Sequence, residues 1–181
     1  MVDVEFHGLD VVIEDFDKFN KVNNRAISRA MNDANRAGRK VAVSKQGMRK
    51  EWAIKSSDLK RYTWNTTANV NNLSTKFGMV SRSINLADFG AKWSMYTPTG
   101  KYTKGVSYKL KGKRRTMKGA FMAKGHVFSK RKGSKNIIPL FSITPTSMLK
   151  EAEADELYIK QYLSTFDKRY LNQLNHLTAK L

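Results

Sequence analysis

Val2, Val4 and Phe6 alternate with Asp3, Glu5 and His7, the two-residue period of a half-buried strand, and Gly8 closes the run. Asp10 is placed to cap a short helix in which Val12, Ile13, Phe16 and Phe19 recur at helical spacing as far as Asn20-Lys21. From Val22 the apolar and small positions Ala26, Ile27, Ala30, Met31, Ala34, Ala37, Val41 and Met48 repeat every ~3.6 residues, with Arg25, Arg29, Arg36, Arg39 and Lys40 between them. The pattern predicts one long amphipathic helix to about Glu51. A short helix follows through Asp58, Leu59 and Lys60, with Ser56 or Ser57 as its N-cap.

The period then changes to two. Tyr62 to Thr67 is rich in aromatic and β-branched residues, Asn69 to Asn72 is a turn cluster, and Leu73, Thr75, Phe77 and Met79 alternate again, which predicts a hairpin. Beyond Ile84 to Gly90 lies a polar loop, Thr97-Pro98-Thr99-Gly100. A second hairpin is expected with Val106, Tyr108 and Leu110 on one side and Ser107, Lys109 and Lys111 on the other. Gly112 marks the reversal, and the return strand runs from Arg114 to Ala123. Ile137 to Phe141 is apolar, and Pro139 makes it an edge strand or an irregular one.

Thr144-Pro145 reads as N-cap and first residue of a long C-terminal helix, about 145–179, whose first turns hold Glu151, Glu153, Asp155 and Glu156. Met148, Ala152, Ile159, Leu163, Phe166, Tyr170, Leu174, Leu177 and Leu181 keep one face, so Leu163 and Phe166 are expected to be buried in a core or interface. The fold class is α+β: antiparallel β-hairpins packed on a long N-terminal and a long C-terminal helix. No repeat and no domain boundary is visible, so 1–181 reads as a single domain.

Charge adds a direction to this outline. Lys and Arg number 34 against 15 Asp and Glu, a formal charge of +19, which calls for a polyanion or an acidic protein surface as partner. The first 17 residues hold six acids (Asp3, Glu5, Asp10, Glu14, Asp15, Asp17) and no Lys or Arg, whereas residues 89–150 hold fifteen bases and no acid. The two regions should attract each other within or between subunits. The candidate DNA- or partner-facing cations are Lys101, Lys104, Lys109, Lys111, Lys113, Arg114, Arg115 and Lys118 on the basic hairpin, with Lys130, Arg131 and Lys132 beyond it. Lacking a local acid, they are expected to be met by water, DNA or another chain. Tyr96, Tyr102 and Tyr108 interleave with these lysines, although hairpin aromatics more often serve core or interface than base stacking.

The chemistry of enzymes is not visible. There is no cysteine, which removes disulfides, thiolate catalysis and cysteine-containing metal sites. Asp88 is the one acid between residues 59 and 150, too few for two-metal hydrolysis on the expected sheets. His7, His126 and His176 are scattered without metal-binding spacing, and neither a phosphate-binding GxxxxGK[ST] loop nor a GxGxxG fingerprint occurs. No enzyme activity, cofactor or metal is expected. The start lacks a signal-peptide pattern and no stretch has the length of a membrane span, so a protein without a membrane partner is expected.

Met117 to Ala123, with its Gly119-Ala120-Phe121, followed by Gly125-His126-Val127-Phe128-Ser129-Lys130-Arg131, resembles a segment of the phage minor tail protein Z family. Lys135 to Leu140 and Thr144 to Met148 are similar, in order, to the elements that precede that family's long C-terminal helix. Phe6 to Asp10, the long basic alanine-containing helix and Leu86 to Ala91 fall at corresponding places, so the resemblance spans nearly the whole chain. It implies a structural virion protein: a tail-completion or head–tail joining ring, hexameric in the family, around the DNA channel and without catalytic residues. Its neighbours would be tail terminator, tail tube or head–tail connector proteins, and double-stranded DNA would pass through it. Assembly would take place in the host cytoplasm and the final location would be the neck of the virion. Head-to-tail ring contacts join two different patches, and the acidic N-terminal segment and the basic 89–150 region are candidates for such a pair.

Two other functions fit the same charge. A stand-alone, sequence-independent nucleic-acid-binding protein would bind DNA as a monomer or dimer with steep salt dependence, and another neck ring, a tail terminator or stopper, would share the small α+β design.

Overall fold

A computed structural model describes residues 9–96, 103–131 and 133–179. The strand expected at Val2–Phe6, the acids Asp3 and Glu5, the loop Thr97–Gly100 and the cations Lys101 and Lys132 lie outside the described residues. Four α-helices and eight strands follow in the order α1 (Leu9–Ala42), α2 (Ser56–Lys60), β1 (Thr63–Thr66), β2 (Lys76–Met79), β3 (Lys92–Tyr96), β4 (Thr103–Leu110), β5 (Lys113–Lys118), β6 (Ala120–Ala123), β7 (His126–Lys130), β8 (Ile137–Pro139), α3 (Pro145–Glu151) and α4 (Ala154–Thr178). Single 3₁₀ turns occupy Met48–Lys50 and Leu86–Phe89. The class is α+β, with long N- and C-terminal helices and small antiparallel sheets ordered β1-β2, β3-β4-β5 and β6-β7-β8.

Several boundaries differ from the expectation. There is no break at Asn20-Lys21: α1 runs through it, because asparagine is only a mild helix breaker and neither Gly nor Pro stands there. Asp10 lies inside the first turn of α1 instead of before it. At its other end α1 stops at Ala42, well short of Glu51, and the backbone reverses through Ser44 to Gly47. The N-cap of α2 is Lys55, without a side-chain bond, so Ser56 is already helical. Strand β3 is additional to the expected elements. The return strand expected over Arg114–Ala123 is divided at Gly119, whose φ of +72° sends β5 and β6 into different sheets. The C-terminal helix is divided too, since Glu153 takes φ +50° between α3 and α4. The predicted cap is present: Thr144 accepts from Ser147 N at 3.1 Å, with Pro145 opening the helix.

The chain separates into two compact units. One comprises Met1–Gly38, Asn65–Phe77 and Ile159–Leu181. In it Val22, Ala26, Ala30 and Ala34 form a buried line at four-residue spacing along α1. Tyr170 Oη donates to Asn23 Oδ1 at 2.9 Å, and Arg169 lies 3.8 Å from Asp33, so α4 meets α1 through polar links as well. Asn32 clasps the backbone of Ala68, accepting from its N–H at 2.8 Å and donating to its carbonyl at 2.9 Å. Tyr162, Phe166 and Tyr170 stack in series at four-residue intervals, with centroids 6.3 and 5.9 Å apart. Leu163, expected to be buried, is 55% exposed, and Phe166 is half-buried by the ring stack.

The other unit comprises Arg39–Trp64 and Gly78–Tyr158. Its core joins Met48, Trp52, Ile54 and Leu59 to Ile84, Leu86, Phe89, Val106, Val127 and Met148, with Trp52 and Phe89 edge to face at 6.3 Å. Buried Asn85 organises the middle of this unit. Its Oδ1 accepts from Ala87 N at 3.0 Å and from Val127 N at 2.9 Å, tying the 3₁₀ turn to β7. Leu86 N and Ile84 N donate to the carbonyls of Leu140 and Ile143, which seats the connection after β8.

Candidate functional site

The turn of the basic hairpin is Lys111-Gly112, at φ 47° and 73°, the geometry of a two-residue turn with both central residues left-handed. It sets the register Lys109↔Arg114 and Tyr108↔Arg115, while β3 pairs Lys92↔Ser107 and Trp93↔Val106 on the other side of β4. Directly paired residues share a face. One face therefore carries Trp93, Val106, Tyr108, Leu110, Lys113, Arg115 and Met117; Val106 is buried on it, whereas Trp93, Lys113 and Arg115 are exposed. The opposite face carries Lys92, Lys109, Arg114 and Lys118 with Ser94, Ser107 and Thr116, and contains no acid.

That second face concentrates like charge. Lys109 and Arg114 stand directly opposite each other, a pairing that costs stability unless a counter-charge arrives. Arg114 is aligned along the sheet, donating from Nη1 to buried Ser107 Oγ at 2.7 Å. A positioned guanidinium with remaining donors suits a phosphate or carboxylate oxygen pair.

Lys111 does not belong with this face. Its Nζ lies 2.6 Å from Glu151 Oε2 and 5.4 Å over the Trp52 ring, and Gly112 N donates to Glu51 O at 3.1 Å. The hydrogen bond that Lys111 donates to Glu151, and then the Glu151 charge, hold the Lys111 ammonium above the usual lysine range. The expectation that the hairpin cations are met by water, DNA or another chain fails at this residue, because an acid of the same chain comes from the distant α3 and could not be read from the spacing.

Lys113 and Arg115 are exposed, and Lys104 is placed by the β4 backbone. Lys130 and Arg131 sit apart from the hairpin. With Gly133, Ser134 and Lys135 they line an open depression of about 400 Å³ at a turn closed by Arg131 N to Asn136 O at 3.1 Å. Of the acidic candidates, Asp10, Glu14, Asp15 and Asp17 all lie on α1; Lys18 is 3.8 Å from Glu14 and 3.4 Å from Asp15.

Asp88, the single acid of the central region, accepts from Tyr62 Oη at 3.1 Å, and Arg82 lies over the Tyr62 ring at 5.7 Å. Burial first, and the Asp88 charge second, raise the Tyr62 phenol above its ordinary value. Among the described residues no group of three His, Cys, Asp or Glu side chains is placed to hold a metal ion, and no helix is long and apolar enough to cross a membrane.

One further set of cations is assembled only by the fold. Lys45, Arg49, Lys50 and Lys55 surround an open concavity of about 480 Å³ against Trp52 and Ile54. Comparison with family models, curated proteins and solved structures finds no match for this chain.

Proposed function

We propose that this chain is a structural, non-catalytic subunit of a tailed-phage or prophage virion, akin to minor tail protein Z, which forms a ring around the DNA channel at the head-proximal end of the tail. The observation that carries the reading is the acid-free outer face of β3-β4-β5, where Lys92, Lys109 and Arg114 lie together. A second copy of the chain cannot neutralise the overall surplus, even where unlike patches pair locally. Each copy brings 34 cations and 15 acids, so every added subunit increases the excess, and the counter-charge must come from a different molecule. DNA threading the ring meets that requirement through loose phosphate contacts, which leave it free to move during ejection.

The ring is a homo-oligomer, a hexamer by the family resemblance, that sits next to tail terminator, tail tube or connector proteins. Its subunits join head to tail, with the acidic α1 segment of one meeting a basic surface of the next. A stand-alone nucleic-acid-binding protein would use the same cationic face without a ring.

The test is electron microscopy of the purified chain together with antibody labelling of particles from a producing host. Rings, and label at the necks of particles, are the expected result. A monomer at all concentrations that binds duplex DNA with steep salt dependence, and leaves particles unlabelled, would favour the stand-alone reading. In a ring, Lys92→Gln/Lys109→Gln/Arg114→Gln should leave assembly intact and impair DNA retention or the joining of heads to tails.

A further inference from the structure

The four cations at 45–55 are brought together by a chain reversal. After α1, Val43 N donates to Arg39 O at 3.1 Å, Ser44 N to Val41 O at 3.0 Å and Arg49 N to Ser44 O at 3.0 Å, folding the segment back on the helix end. Gly47 makes this possible: a Cβ there would collide with the backbone carbonyls of Ala42 and Val41. The reversal leaves a concavity against buried Trp52 and Ile54, with Lys45, Arg49, Lys50 and Lys55 around it and no carboxylate among its lining residues. None of the four forms an ion pair among the described residues. Arg49 is half-buried, and its Nε donates to Ile54 O at 3.0 Å, which fixes the guanidinium plane and leaves its terminal nitrogens for another acceptor.

We propose that this concavity binds phosphate groups of the double-stranded DNA backbone, with Arg49 making a two-pronged contact and Lys45, Lys50 and Lys55 acting as point charges around it. The inference rests on the reading of the chain as a DNA-facing subunit and adds to it a second contact region. Like charges are gathered here around one hollow instead of being dispersed over the surface, and one fixed guanidinium lowers the ordering cost of binding. A polymer fits better than a lone phosphate ion. Four cations around a hollow of about 480 Å³ offer more positive charge than a single phosphate ion neutralises. A second copy brings the same net excess of cations, so pairing between copies leaves the overall charge to be met by a polyanion.

The experiment uses the full chain and a short fluorescent DNA duplex, with anisotropy measured over a series of salt concentrations. Lys45→Gln/Lys50→Gln/Lys55→Gln should weaken binding at low salt and flatten the dependence of log affinity on log salt by about one unit for each phosphate no longer neutralised. Arg49→Gln should also weaken binding, and Arg49→Lys should restore part of it. Duplexes of unrelated sequence should bind alike. The lysine variant changes only exposed side chains, so it decides the matter if Arg49→Gln fails to fold through loss of the Ile54 bond. Wild-type affinity and slope in the lysine variant, alongside weaker binding by Lys92→Gln/Lys109→Gln/Arg114→Gln, would overturn the site and leave the DNA-channel reading standing. If the wild type bound no duplex at low salt, both would fall. Displacement of DNA by poly-glutamate or by inorganic phosphate at lower charge concentration than by unlabelled duplex would overturn the assignment in favour of an acidic protein or a free anion.

Discussion

Lys111 Nζ sits 2.6 Å from Glu151 Oε2, so the turn of the basic hairpin is fastened to the end of α3. The pair explains why a lysine occupies a left-handed turn position that Asn or Gly would adopt more easily. We expect Glu151→Gln and Lys111→Gln each to speed hydrogen exchange at the Gly112 amide, which donates to Glu51, and the exchanged pair Lys111→Glu/Glu151→Lys to recover part of the protection. The ammonium is held above its ordinary range, so its contribution to stability is complete below that range and is lost as pH rises through the raised value. Equal exchange at Gly112 in all variants would show that the backbone bond alone holds the turn.

Glu153 gives a test of opposite sign. With φ at +50° it carries the strain of a left-handed non-glycine residue between α3 and α4. Glu153→Gly should therefore be neutral or raise stability by about 1 kcal/mol, read from the urea midpoint. In a continuous helix the same change would lower stability by about 1 kcal/mol.

The two units respond differently to loss of a large side chain. Phe89 is fully buried against Trp52, so Phe89→Ala should cost about 3–5 kcal/mol, measured by denaturation. Leu163 is 55% exposed, and Leu163→Ala should change the stability of the isolated chain by no more than about 0.5 kcal/mol. A large loss at Leu163 in a monomer would place it in a core after all.

How much of this could be read from the sequence depended on whether the deciding interaction was local. The Thr144-Pro145 cap, the Gly112 reversal and the edge position of β8 each need only a few adjacent residues, and each is found as expected. Strand β3 escaped because Lys92-Trp93-Ser94-Met95-Tyr96 is only five residues long and becomes a strand by pairing with β4, the next strand along the chain. The end of α1 was misplaced because Met48 keeps the helical period while Gly47 and the Ser44 turn have already reversed the chain. Lys45, Arg49 and Lys50 fall within the helix that the period predicts to about Glu51, so their convergence with Lys55 on one hollow could not be read from the sequence. The Glu153 break has no glycine to announce it, so an apolar row was carried straight through it.

The last prediction concerns Phe16 and Phe19, which are 65% and 45% exposed on α1 beside Glu14, Asp15 and Asp17. Two large aromatic rings in water next to concentrated negative charge form a surface suited to a basic, partly apolar counterpart. The local pairs of Lys18 with Glu14 and Asp15 are exposed and contribute little, so most of this negative charge remains available to a partner. Phe16→Ser/Phe19→Ser should shift the chain toward monomer in light scattering and native mass spectrometry while its melting curve as a monomer stays close to that of the wild type. Asp15→Lys/Asp17→Lys should act in the same direction and remove the salt sensitivity of assembly, because it is the attraction between unlike patches that salt screens. A lower melting temperature of the monomeric phenylalanine variant would mean that these rings pack within their own chain. An unchanged oligomer in both variants would mean that subunits meet through another surface, and the pairing of α1 with a basic face would have to be given up.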